Sequence, residues 1–108
     1  MRLRTEQNLE NAKRIFNAKI ADALGHPLRI EIIEYVAEKN SVRNDICNGE
    51  LVSKLPVSQA TVSQHIKRLV EAEILIVRRE NGFSFYTVNQ VVLHKFLENI
   101  GSFISENE

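Results

Sequence analysis

Several features that mark secreted and membrane proteins are missing from this sequence. Its 108 residues include one Cys and no Trp, and 14 basic side chains are balanced by 14 acidic ones. A lone Cys cannot form a disulfide within the chain, and zero net charge gives no overall attraction to a polyanion. No apolar run approaches the roughly 18 residues of a membrane-spanning helix, and the first residues lack the apolar segment of a signal peptide. We therefore expect a cytoplasmic protein without a membrane partner.

Residue sets that would carry catalysis are missing as well. The sequence has no Ser/His/acid or Cys/His set with suitable spacing, no glycine-rich phosphate loop and no carboxylate pair in a recognisable context. We therefore expect no enzymatic activity and no cofactor. The apolar fraction of 44% and the charged fraction of 26% are those of an ordinary globular protein, and the length predicts one domain over residues 1–108.

Two amphipathic helices are predicted in the first part of the chain. Apolar residues spaced by threes and fours predict a first helix from about Thr5 to Leu24, which Gly25 would end in a left-handed conformation. Pro27 suits the first turn of the next helix, predicted over residues 28–38. The expected buried side of that helix carries Ile30, Ile33, Val36 and Ala37, with Ile32 and Tyr35 widening the stripe.

The segment Leu51–Val70, LVSKLPVSQATVSQHIKRLV, predicts a helix-turn-helix. Two short helices flank a tight turn at residues 55–57, and Ser58 can cap the second helix because its hydroxyl accepts a bond from a free amide of the first turn. The stretch 40–49 before the motif has no clean period and is predicted as a loop or a short extended piece. The buried stripe of the second helix contains Val62, Ile66, Leu69 and Val70.

The opposite face of this second helix is polar and carries no acidic residue. Amides and hydroxyls can read base edges in the major groove of double-stranded DNA, a methyl group can touch thymine, and cationic side chains neutralise phosphates. The face is therefore a candidate DNA-binding surface, although any amphipathic helix has one solvated side. The candidate residues are Ser58, Gln59, Ala60, Thr61, Ser63, Gln64, His65, Lys67 and Arg68.

A β-hairpin is predicted after the helix-turn-helix, which makes it a wing. Asn81-Gly82 separates two apolar, β-branched runs, and this dipeptide is a strong signal for a two-residue type I′ turn. Arg79 and Asn81 near the tip are candidate contacts to the DNA backbone. A last helix is predicted from Gln90 to about Ser105, followed by an acidic end. The expected fold is mainly α with a small β-hairpin, in the order α-α-α-α-β-β-α.

The first and last helices carry more apolar surface than a small winged core needs. Either both wrap their own domain, or they cover each other across a homodimer, which is the interpretation that we favour. The dimer interface would then contain Leu9, Ala12, Phe16, Ile20, Leu93, Phe96, Leu97, Ile100 and Phe103.

Three segments in this order, ALGHPLRIEIIEYV, SQATVSQHIKRLVEAEIL and RRENGFSFYTV, resemble the ArsR/SmtB family of winged-helix transcriptional repressors. The resemblance covers about residues 21–88. It implies a homodimer built on the first and last helices, which binds a two-fold symmetric operator and releases it when an effector binds. Where the family often has Pro, this chain has Ala60, and where it commonly has Gly after the recognition helix, this chain has Glu73. Glu73 must therefore adopt a positive φ or end the helix differently.

The metal ligands that the resemblance implies are mostly absent. One family site uses a Cys-x-Cys pair before the helix-turn-helix, and the matching residues Cys47-Asn48-Gly49 supply one thiolate. The other family site lies on the last helix, and His94 lies two positions away from its match there. We therefore expect a regulator with no metal site. The matching positions on the last helix hold Gln90, Val92, Phe103 and Glu106.

Three alternatives stay open at this point. Cys47 is a candidate redox residue, most simply through a disulfide between subunits, because the chain has no second Cys to resolve an oxidised thiol. His65 lies between the buried and exposed faces of its helix, so it either donates to a phosphate or only packs. Finally, a winged helix can be a protein-interaction module without specific DNA binding, and the zero net charge favours that interpretation.

Overall fold

The computed structural model describes residues 4–104 and has the predicted order of elements. The helices and strands form one winged helix-turn-helix with a single two-stranded antiparallel sheet in this part of the chain. None of these helices is long and apolar enough to cross a membrane. The elements are α1 (Arg4–Leu24), α2 (Pro27–Asn40), α3 (Asn48–Lys54), α4 (Gln59–Glu71), β1 (Leu75–Glu80), β2 (Phe83–Val88) and α5 (Gln90–Gly101).

Helix α2 lies at the centre of the core, but not on the predicted side. Its buried residues are Leu28, Ile32 and Val36, whereas Ile30 is exposed and Ile33 is half-buried. The predicted face was therefore wrong by part of a turn. The reason is that apolar residues lie on several sides of this helix, which packs against α1, α4 and β2. Periodicity alone could not identify which side faces the core.

The corner between α1 and α2 is formed by caps rather than by a left-handed glycine. Gly82 is the glycine with positive φ within residues 4–104, so the predicted conformation of Gly25 is wrong. Nδ1 of His26 instead accepts a hydrogen bond from the backbone N–H of Leu28 at 3.0 Å, and Pro27 occupies the first turn of α2. A Cβ on Gly25 would lie 3.3 Å from the carbonyl oxygen of Asp22, so this corner is tight.

Both ends of α4 are fixed by its sequence. Ser58 caps the amino end as predicted, because its Oγ accepts from the N–H of Thr61 at 3.3 Å. At the carboxyl end Glu73 adopts a φ of 63°. The N–H of Glu73 donates to the carbonyl of Val70, and that of Ile74 to the carbonyl of Leu69, both at 2.9 Å. These are the two bonds of a Schellman motif, so the chain enters the wing in the same way as it would with glycine.

The wing has the predicted turn, and a short piece of the chain before α3 pairs with β2. Asn81 and Gly82 both have positive φ, and Glu80 pairs with Phe83 across the turn. The N–H of Tyr86 donates to the carbonyl of Ile46 at 2.9 Å, and Cys47 forms an isolated bridge with Phe85. The stretch before α3 is therefore extended where it meets β2.

Helix α5 packs on α1 and is shorter than predicted. It ends at Gly101, whereas its predicted end at Ser105 and the matched position Glu106 lie outside the described residues. Asn99 is buried and donates to Oδ1 of Asn17 at 2.8 Å, which ties α5 to α1. Ile20 is only 1% exposed and belongs to the core of its own chain.

Candidate DNA-binding surface

The inner face of α4 determines which way its polar face points. Val62, Ile66 and Leu69 are at most 3% exposed and join the core. Burial of each such side chain stabilises the fold by about 1.5–3 kcal/mol. Rotation of α4 about its axis would lose this energy, so the opposite side stays directed at solvent.

The candidate base-reading residues all lie outside the core. Ser58, Gln59, Ala60 and Gln64 are exposed, whereas Thr61 and Ser63 are half-buried. The hydroxyls of Ser58 and Thr61 are 3.0 Å apart. This contact holds both hydroxyls at the amino end of α4 and leaves the amide of Gln64 one turn further along the exposed side.

Two arginines lie near the wing tip, and Arg78 makes more contacts within the chain than Arg79 does. Arg78 forms an ion pair with Glu80, its guanidinium lies 4.8 Å from the ring centre of Phe85, and it donates to the carbonyl of Asn44 at 3.3 Å. Arg79 and Asn81, which the sequence singled out, are both exposed. Arg79 makes a 3.3 Å hydrogen bond to the hydroxyl of Ser84. Arg79 is therefore better placed than Arg78 to reach out of the wing.

The cationic side chains of α4 are exposed and make only weak contacts within the described residues. Lys67 is exposed, and Arg68 lies 3.6 Å from a carboxylate oxygen of Asp22, with both of those side chains more than half exposed. An ion pair so open to solvent contributes little stability, because water and salt screen it. Arg68 can therefore exchange this partner for a phosphate at small cost.

The structure adds Arg29 to the candidate site. Its Nε–H donates to Nδ1 of His65 at 3.2 Å, and its terminal nitrogen donates to the carbonyls of Asp22 and Ala23 at 3.2 and 3.0 Å. The rings of His65 and His26 lie 4.4 Å apart. Sequence analysis missed Arg29 because it precedes His65 by 36 positions and belongs to another helix.

The surroundings of His65 favour its neutral form. Partial burial, and then the charges of His26 and Arg29, lower the pKa of the His65 imidazole. An imidazole with a lowered pKa is neutral at pH 7. A cavity of about 570 Å³ opens beside this ring, and it is lined by Arg29, Gln64, His65, Lys67, Arg68 and Glu71.

A second polar cluster surrounds the start of α3, and Cys47 takes no part in its hydrogen bonds. Glu50 accepts hydrogen bonds from the guanidinium of Arg43 and from the hydroxyl of Tyr35. These bonds, that of Arg43 first, lower the pKa of the Glu50 carboxyl. Arg43 also donates to Asp45 at 2.8 Å, so its guanidinium is paired with two carboxylates, those of Asp45 and Glu50. Cys47 is a free, half-buried thiol.

The predicted interface residues divide into three groups. Leu9 and Ala12 on α1 and Leu97, Ile100 and Phe103 at the end of the chain are exposed. Phe16, Leu93 and Phe96 are half-buried against their own core. Ile20 is fully buried there, so it is unavailable to a partner subunit. The prediction did not include three other large exposed apolar residues of α1, α5 and the chain end, which are Ile15, Val91 and Ile104.

Comparison with known proteins identifies the family. The family described as "Bacterial regulatory protein, arsR family" matches residues 26–77, from the cap of α2 into β1. An HTH-type transcriptional regulator of Methanocaldococcus jannaschii is 32% identical over 71 residues, which cover 66% of this chain and 75% of the relative. The chain belongs to the ArsR family of transcriptional regulators. The ArsR-family resemblance of the sequence is thereby confirmed.

Other relatives of this ArsR-family chain agree. The arsenical resistance operon repressor of Staphylococcus xylosus is 30% identical over 81 residues, covering 75% of this chain and 69% of that protein. An ArsR-like transcriptional regulator from Rhodococcus sp. RHA1 has the same fold, with a TM-score of 0.70, 21% identity and 85% of each chain covered. The chain is therefore a DNA-binding transcriptional regulator rather than an enzyme.

Proposed function

We propose that this ArsR-family protein is a transcriptional repressor that binds a palindromic operator as a homodimer and does not sense metals. The observation that carries the proposal is the outer face of α4, where Gln64, Lys67 and Arg68 are exposed. A repressor needs only to occupy its operator, because an occupied promoter excludes polymerase. Several relatives carry the word repressor in their names.

The proposed complex places α4 of each subunit in the major groove. Gln64 would pair with the edge of an adenine, and Lys67 and Arg68 would neutralise phosphates. The wing would reach the flanking backbone through Arg79 and Asn81. Two subunits related by a two-fold axis would contact half-sites about one helical turn apart. The residues at the amino end of α4 that complete the surface are Ser58, Gln59, Ala60, Thr61 and Ser63.

The proposed homodimer is supported by apolar surface that the single chain leaves open. Leu97 and Phe103 are 67% and 75% exposed, and Leu9 on the adjoining α1 is 67% exposed. Exposed apolar clusters of this kind mark interaction sites, and symmetric pairs are the commonest oligomers. The proposed interface consists of Leu9, Ala12, Phe16, Leu93, Phe96, Leu97, Ile100 and Phe103.

The absence of metal sensing is proposed from the donor set, although two relatives are named arsenical resistance operon repressors. Cys47 is the one thiol of the chain and lies half-buried at the start of α3, so each subunit offers a single thiolate to a metal ion. Within residues 4–104 no three His, Cys, Asp or Glu side chains cluster as a metal site would require. The donors present therefore do not fit an arsenic or zinc ion. We expect that arsenite or Zn²⁺ leaves a preformed DNA complex intact.

Selection of bound duplexes from a random pool tests the proposal most directly. We expect a palindrome whose half-sites are about one helical turn apart. A single unpaired half-site would contradict the homodimer. Failure to enrich any duplex would favour the alternative, a winged-helix protein-interaction module, which the zero net charge of the chain supports.

A further inference from the structure

Three helices meet at one polar cluster beside the DNA-facing side of α4. We call it the α1–α4 junction, and it consists of Asp22, His26, Arg29, His65 and Arg68. Arg29 of α2 lies between the carbonyls that end α1 and the ring of His65 on α4. Asp22 adds a second connection to α4 through its carboxylate and Arg68. The same junction therefore joins the end of α1 to the side of α4.

The hydrogen bond from Arg29 determines the tautomer of His65. A guanidinium can only donate, so Nδ1 of His65 must accept and cannot carry a proton. In a neutral imidazole with a bare Nδ1, the proton resides on Nε2. Nε2–H of His65 is then a donor at the edge of α4, on a half-buried ring that faces the cavity shared with Gln64 and Lys67.

We propose that Arg29 is a positioning residue for DNA binding, which holds His65 in the tautomer whose Nε2–H donates to a DNA phosphate. The proposal rests on the proposed DNA-binding role of α4. The acceptor is a phosphate oxygen because Lys67 and Arg68 line the same cavity, and DNA phosphates accept most of their hydrogen bonds from cationic side chains and from neutral N–H and O–H donors. Nε–H and one terminal nitrogen of Arg29 donate to His65 and to the carbonyls that end α1, so its role in this proposal is to hold the ring and not to contact DNA.

The charged groups around the ring are consistent with a neutral donor. His26 and Arg29 face His65 from α2, Asp22 lies beyond Arg29 on α1, and Arg68 lies on α4 itself. A second proton on His65 would have to displace the guanidinium, because Nδ1 would then also become a donor. The bond from Arg29 and the neutral ring therefore support each other.

The tautomer can be measured directly in the whole protein. In ¹⁵N-detected NMR, Nδ1 and Nε2 of His65 have distinct shifts that show which nitrogen carries the proton. We expect the Nε2–H form in the wild type at pH 7. In Arg29→Lys, which keeps the charge but lacks the Nε–H donor, we expect a mixture of tautomers. A wild-type ring protonated on Nδ1 would overturn the proposal.

A double-mutant cycle then connects the tautomer with DNA. Arg29→Lys should weaken binding to selected and random duplexes alike, by about fourfold if each of the two His65 rings of the dimer is half in the Nε2–H form, because only the competent fraction makes the phosphate contact. His65→Gln supplies an amide N–H near the place of Nε2–H without any tautomer to choose. In that background, Arg29→Lys should change affinity by less than about twofold. Thermal melting of each variant checks that it is folded.

The outcomes separate the two proposals. If the wild type binds its selected duplex but Arg29→Lys costs the same in both backgrounds, Arg29 acts by another route and only the positioning role fails. If the wild type binds no duplex, the DNA-binding proposal fails first and the positioning role fails with it.

Discussion

Helices α4 and α5 are nearly equal in length, at 13 and 12 residues, and each leaves one face uncovered, but the two faces differ in chemistry. The open face of α4 carries Gln64, Lys67 and Arg68, whereas that of α5 carries Leu97 and Ile100. Polar side chains keep their hydration in the free protein, so the face of α4 can remain open. Exposed apolar area costs about 25 cal/mol per Å², so the face of α5 gains from being covered.

This difference assigns different partners to the two helices. A hydrated, cationic face suits a hydrated, anionic ligand such as DNA, where contacts replace water and counterions. An apolar face suits a partner with an equally apolar surface, and a second copy of the chain supplies one by symmetry. Substitutions on one face should therefore leave the partner of the other face in place.

The largest effect is expected on the face of α5. Leu97→Glu should raise the dimer dissociation constant roughly 100-fold or more, because an unpaired charge buried at an interface costs about 3 kcal/mol or more. Leu97 is 67% exposed in the single chain, so the variant should still fold as a monomer. Sedimentation equilibrium measures the dissociation constant.

Val91→Glu is the matched control for Leu97→Glu. Val91 is 77% exposed on the same helix, about 120° around the helix axis from Leu97. It lies outside the proposed interface, so the control should remain a dimer. Equal loss of the dimer in both variants would mean that the interface is not confined to the stripe through Leu97.

A smaller effect is expected on the face of α4. Gln64→Ala should reduce discrimination between the selected duplex and random DNA by about 1 to 3 kcal/mol for each half-site, because a side chain that pairs with a base edge is lost. Competition binding at one fixed salt concentration measures this ratio. The dimer dissociation constant should not change, since Gln64 lies on the other face.

Lys67→Ala separates base reading from phosphate binding. It should weaken binding to all duplexes equally and reduce the slope of log affinity against log salt by about 2, which is about 1 for each subunit of the dimer. If Gln64→Ala weakened binding to selected and random duplexes equally, Gln64 would be a backbone contact and not a base reader.

The elements that the sequence predicted correctly depend on local interactions. Ser58 caps α4 through an N–H three residues away, and Asn81-Gly82 forms its turn within four residues. The polar face of α4 follows from the spacing of Val62, Ile66 and Leu69 in a single helix. Propensity and periodicity describe such short-range relations, so they were sufficient here.

The features that the sequence did not predict depend on contacts between distant elements. The buried side of α2 is decided by β2 and α4, which pack against it. Ile20 looked like part of an interface stripe, but the core of its own chain covers it. Arg29 joins His65 across 36 positions, and no local spacing indicates such a pair. The candidate site was therefore predicted along α4 but not at its junction with α1 and α2.

A change that touches neither face should affect stability alone. Glu73→Gly should raise the free energy of unfolding by about 1 kcal/mol, because the left-handed conformation costs an L-residue about 1–2 kcal/mol and costs glycine much less. Glu73 has a φ of 63° at the end of α4. Asn81→Gly is the control, since Asn tolerates this conformation and should gain less. Chemical unfolding at one protein concentration measures both, and equal gains would contradict this explanation.

The smallest effect is expected from the cluster before α3, which belongs to neither face. Hydrogen bonds from Arg43 and Tyr35 lower the pKa of Glu50 below its ordinary value of 4.5. A carboxyl with a lowered folded-state pKa binds its proton more readily in the unfolded chain. Its stabilising contribution is therefore complete above pH 4.5 and is lost as the pH falls through the lower folded-state pKa. Glu50→Gln should flatten the fall in stability over this acidic range, and Tyr35→Phe should flatten it partly, because one of two donors remains. An unchanged acid profile in Glu50→Gln would show that the cluster does not hold the loop to α3.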